Sequence, residues 1–79
     1  MELPLEGRVV DRIVVQIEVD VWEVVLRLMR DHAHHVCIEC NGRAEAEHVG
    51  GLPEDWPGDA FPSEVHAAVA QLREHLSWS

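Results

Sequence analysis

From Val9 to Val19 the chain alternates, with Ile13, Val15, Ile17 and Val19 on one side and Arg12, Val14, Gln16 and Glu18 on the other. A period of two, rich in β-branched residues, predicts a half-buried strand over about 9–19. Val14 is the apolar exception on the polar side. At Asp20 the rhythm changes: Val21, Val24, Val25, Leu28 and Met29, with Trp22 beside them, fall at helical spacing, while Glu23, Arg27, Arg30 and Asp31 face away. Asp20 and Glu23 have the separation of a capping box, so a helix is predicted over about 21–33. Its valines lower intrinsic helix propensity, which leaves packing to carry it.

The next two runs alternate around Asn41-Gly42 and predict a hairpin over about 35–49. A two-residue turn would oppose Ile38 to Glu45 and Val36 to Glu47, mixing apolar and charged residues on one face. A three-residue loop with a bulge at Gly42 opposes Ile38 to Ala44 and Val36 to Ala46, and puts Glu39 opposite Arg43, Cys37 opposite Glu45 and His35 opposite Glu47. The cleaner segregation favours the bulged loop. Gly50-Gly51 ends the hairpin, and residues 50–62 form a loop marked by Pro53, Pro57, Gly58 and Pro62, in which Trp56 and Phe61 serve to pin the segment to the body. Ser63 caps a last helix over about 64–76, where Val65, Ala68, Val69, Leu72 and Leu76 form an apolar stripe.

The predicted fold is therefore one small α+β domain over 1–79, a two-layer sandwich of order β-α-β-β-α. A right-handed helical crossover gives a three-stranded mixed sheet with two helices on one face and a polar, open face on the other. That order resembles the first five elements of a ferredoxin-like domain, an architecture that carries no function by itself. Residues Leu3 to Val10 add a short edge strand through a turn at Glu6-Gly7.

Seventy-nine residues, 47% of them hydrophobic, have room for one core. Fifteen acidic side chains against six arginines give a formal charge of −9. Nucleic acid and anionic membrane surfaces need basic partners, so both are disfavoured. A protein partner, basic in character, or a homodimer fits better, and an unpaired edge or the valine of the polar face gives self-association a route. No apolar run reaches the roughly 18 residues of a membrane-spanning helix, and the start lacks a leader pattern, so a cytoplasmic address is expected.

The densest candidate chemistry is "DHAHHVCIEC", residues 31–40. Cys37 and Cys40 have zinc-knuckle spacing, but on an extended strand they point to opposite faces. A site that survives the strand geometry uses His35, Cys37 and Glu47, completed by His34 or His48, with zinc as the candidate ion. Protonation of all six histidines would move the charge from −9 to −3, which makes a pH response a second use of the same segment. Catalysis has little to draw on: no phosphate-binding glycine loop, no H-E-x-x-H, and a His35–Cys37 pair without an orienting third group. Glu39, Glu45, Glu47, Glu54, Asp55 and Asp59 would gather beside Trp56 into a docking surface. The expected function is a non-enzymatic, acidic protein-interaction domain, such as a small inhibitor or regulatory module, that binds through Glu39, Glu45, Glu47, Glu54, Asp55 and Trp56. A metal- or pH-sensing domain using His35, Cys37, Glu47 and His48 is the alternative, and a small enzyme the third class.

Overall fold

A computed structural model describes residues 7–76. The order of elements is β1 (Arg8–Ile17), β2 (Asp20–Leu28), β3 (His34–Cys40), β4 (Arg43–Val49) and α1 (Ser63–Leu76). The four strands form an antiparallel meander, each beside its neighbour in sequence. This corrects the predicted three-stranded mixed sheet with two helices: there are four strands, all antiparallel, and one helix. The predicted helix of 21–33 is strand β2. Its residues satisfy two rhythms at once, and Leu26 separates them. The helical stripe leaves Leu26 out, whereas alternation puts Trp22, Val24, Leu26 and Leu28 on one side, and Leu26 is fully buried. With no helix between the first two strands there is no crossover, and a two-residue turn at Glu18-Val19 joins them instead, with Glu18 left-handed at φ 58°. Residues 3–6 of the predicted edge strand lie outside the described residues, and Arg8–Val10 belong to β1.

Alternation then sorts the sheet into rows. On the face that α1 covers, one row runs Ile13, Val24, Ile38, Ala46; the next runs Asp11, Leu26, Val36, His48; and another runs Val15, Trp22, Cys40, Arg43. Val24, Leu26, Val36 and Ile38 from the two central strands meet Val65, Ala68, Val69 and Leu72 of α1 in a single core. The helix packs over β1 and β2. Phe61 closes the neighbouring area edge-on to Trp22 at 5.9 Å, and Trp56 and Leu52 pack against the same core. Pro62 starts α1, its carbonyl accepting from the N–H groups of Val65 (3.0 Å) and His66 (3.1 Å). The Ser63 hydroxyl donates to Glu64 rather than closing the helix end.

The β3–β4 turn corrects the predicted register. Asn41 and Gly42 both take positive φ, 53° and 84°, and Cys40 pairs with Arg43, so the loop has two residues. The bulge lies further on, at Glu45, and shifts the partners to Ile38 with Ala46, Cys37 with Glu47 and His35 with Val49. Apolar and charged residues are still segregated, by a different device. Asn41 also ties the two hairpin turns together: its N–H donates to Val21 O (2.8 Å), its Oδ1 accepts from Val21 N–H (2.9 Å), and its Nδ2 donates to Asp20 (2.9 Å).

Candidate functional site

Opposite the helix, the second face of the sheet is covered by no element among the described residues. Its first row is Val9, Arg27, His35, Val49; its second Arg12, Val25, Cys37, Glu47; its third Val14, Glu23, Glu39, Ala44; and Gln16 with Val21 ends it. Among the described residues five large hydrophobic side chains stand out into solvent, and four of them, Val9, Val14, Val21 and Val49, belong to this face, 41% to 61% exposed. The fifth, Val19, is in the β1–β2 turn. Single exposed valines are ordinary, but four on one face are a patch. The middle of the face is dry: Val25, Cys37 and His35 are each 3% exposed.

Charged groups fill the space between the valines. Arg12 bonds Glu23 across β1 and β2, and His35 Nε2 lies 3.5 Å from Glu47 Oε1. Glu23 and Glu39 are directly opposed, an unfavourable pairing that Arg12 relieves on one side. The Cys37 thiol is 4.0 Å from Glu39 Oε2. Burial first, then Glu39 and Glu47, push that thiol above its ordinary value of 9.0, with Arg27 pulling the other way. Cys40 is also raised, by loss of solvent and then by Asp20 and Glu45, against Arg43. Two atoms beneath this face, Arg27 Nη1 and His35 Nδ1, are buried and make no hydrogen bond.

The structure divides the residues singled out in the sequence. His35, Cys37 and Glu47 do share the open face. His48 is on the helix side, where its Nε2 bonds Gly51 O at 2.7 Å and its ring lies 5.9 Å from Trp56. Among the described residues no group of three or more His, Cys, Asp or Glu is placed to hold a metal ion. The acidic residues are dispersed as well: Glu39 and Glu47 lie on the open face, Glu45 in the bulge 3.8 Å from Arg43, and Glu54 and Asp55 in the loop after β4. Trp56 is partly buried and packs against the core. Sequence reasoning missed Val9 because the bulge at Val10 reverses the alternation of β1, and Val21 because it read 21–33 as a helix. Val14 was visible as the apolar exception of the first strand.

The chain matches no protein-family model, no curated protein and no solved structure. Among the described residues no helix is long and apolar enough to cross a membrane.

Proposed function

We propose that the protein is a non-enzymatic interaction domain, that its working surface is the open sheet face, and that this face pairs with a second copy of the chain. The observation that carries this is the gathering of Val9, Val14, Val21 and Val49 on one uncovered face. Charge supports a second copy. The described residues of the open face contribute Arg12 and Arg27 against Glu23, Glu39 and Glu47, a formal −1, so −8 of the chain's −9 lies elsewhere. Elsewhere the surface is mostly acidic and two copies gain little by meeting there, whereas here both signs are interspersed and can be matched across a two-fold axis.

The sheet edges are poorer docking sites. β1 is bulged at Val10 and β4 at Glu45, and charged residues stand along both, which discourages edge-to-edge pairing. Strands rising roughly 3.3 Å per residue and spaced roughly 4.8 Å apart make a face of roughly 400 Å² in projection on each copy, about half the per-partner area of a standard interface and in the range of weak, transient ones. Association is thus expected at roughly micromolar concentration, not nanomolar. The raised, buried Cys37 thiol argues against a nucleophile and supports the non-enzymatic reading.

Sedimentation equilibrium from a few micromolar upward tests the proposal. The expected result is a monomer–dimer equilibrium, shifted to monomer by Val14→Glu with no loss of circular dichroism. A wild-type chain that stays monomeric at high concentration, or a Val14→Glu variant that dimerises unchanged, overturns it.

A further inference from the structure

On the helix side, at the end of the sheet away from the Asn41 tie, a cleft of about 380 Å³ opens between three segments. The β2–β3 connection contributes His32, Ala33 and His34, the turn after β4 contributes Gly50, Gly51 and Leu52, and the last turn of α1 contributes Arg73. Among the described residues no aspartate or glutamate lines it, in a chain that carries fifteen. Asp31, next to His32 in sequence, is turned to the Ala33 N–H at 3.1 Å. Arg73 is fixed in place, its Nη2 donating to Pro53 O at 2.6 Å, while its Nε is buried and lacks an acceptor.

We infer that this cleft binds a small oxyanion, the carboxylate or phosphate group of a compact molecule. Three features carry the inference together. A planar guanidinium held by one carbonyl, with its Nε buried, keeps further Nη donors of the kind that oxyanions accept. His32 and His34 line the same cleft and bring further N–H groups to it. Gly50 and Gly51 leave the floor without side chains: a Cβ at either would meet nothing within 4 Å. The volume is at the lower end of small-molecule sites, and its openness to solvent implies weak capture. In a molecule that otherwise repels anions, a cationic cleft free of carboxylates is where one would be held. The inference is independent of the open-face dimer, which uses the other side of the sheet.

The test is an NMR titration of the ¹⁵N-labelled chain with inorganic phosphate and, separately, with acetate, at constant ionic strength. Saturable shifts of the Arg73 side-chain Nε–H and of the His34, Gly50 and Gly51 amides are expected, with dissociation constants in the roughly millimolar range. Saturation by either anion supports the site and names its class. Gly51→Asp is the decisive variant, because Gly51 has ordinary φ and open space above it, so the fold tolerates the added carboxylate while Arg73 acquires an internal partner. It should weaken binding by roughly tenfold or more, as should Arg73→Gln, and Arg43→Gln at the far end of the sheet should leave it unchanged. Shifts that grow linearly without saturating, or that saturate equally in Gly51→Asp, overturn the inference.

Discussion

The two faces of one sheet are built from the same four strands and solve opposite problems. On the helix side the central strands present Val24, Leu26, Val36 and Ile38, all at most 1% exposed, and the partner that buries them is in the same chain. On the open side the same strands present Val25, Cys37 and His35, also dry, but the valines around them reach water and the spaces between carry the Arg12–Glu23 ion pair and the His35–Glu47 contact. The first face is apolar throughout and needs only shape. The second mixes apolar contact with charges of both signs, as reversible interfaces do. Face by face, the sheet separates what folds the molecule from what is free to meet another.

Substitutions should break that contrast in order of size. Leu26→Ala or Ile38→Ala removes a fully buried side chain from the helix face and should cost about 2–5 kcal/mol in urea denaturation. Val14→Ala, on the open face, should cost less than about 0.5 kcal/mol in the same assay. Equal losses would erase the distinction.

Asn41→Ala comes next, at about 1–2 kcal/mol, because it removes two side-chain hydrogen bonds between the hairpin turns and places alanine at φ 53°. Gly42, with φ 84°, keeps the turn itself intact, so Asn41→Gly should recover the backbone part of the loss and not the rest.

The third prediction concerns pH. The folded Cys37 thiol titrates above its unfolded value, so the native state holds that proton more tightly. The stability this confers is complete below the ordinary thiol value of 9.0 and is lost as pH rises through the higher folded value. Cys37→Ser should flatten the alkaline limb of a stability–pH profile, and alkylation of Cys37 near neutral pH should be slow in the folded protein and fast in urea. The smallest effect is expected from Glu47→Gln: Glu47 is 57% exposed, so breaking its contact with His35 should change stability by about 0.5 kcal/mol or less.

The elements whose determinants are local could be read from the sequence. Asn41-Gly42 marked where its hairpin turns, though not that the loop has two residues, both with positive φ, instead of three, and the stripe of Val65, Val69 and Leu72 fits only a helix. β2 was misread because its determinants are distant. Asp20 and Glu23 imitate a capping box, yet Asp20 is bonded by Asn41 and Glu23 by Arg12. Glu18-Val19 contains neither glycine nor asparagine, and nothing in the residue types announces a turn there. The bulge at Glu45 was equally hidden, since alternation on either side of it stays regular. The open face inherited both errors. Its His35, Cys37 and Glu47 could be grouped from the sequence and Val14 stood out there, while Val9 and Val21 joined them only through the bulge at Val10 and the strand character of β2.

The meander has a consequence for how the molecule comes together. Each strand pairs with the one synthesised just before it, across connections of two, five and two residues, so the whole sheet can zip up from short closures. The helix arrives last, at the end of a thirteen-residue loop. Until it docks, Leu26 and Ile38 stand as bare as Val14, and for that interval the nascent chain has two sticky faces instead of one.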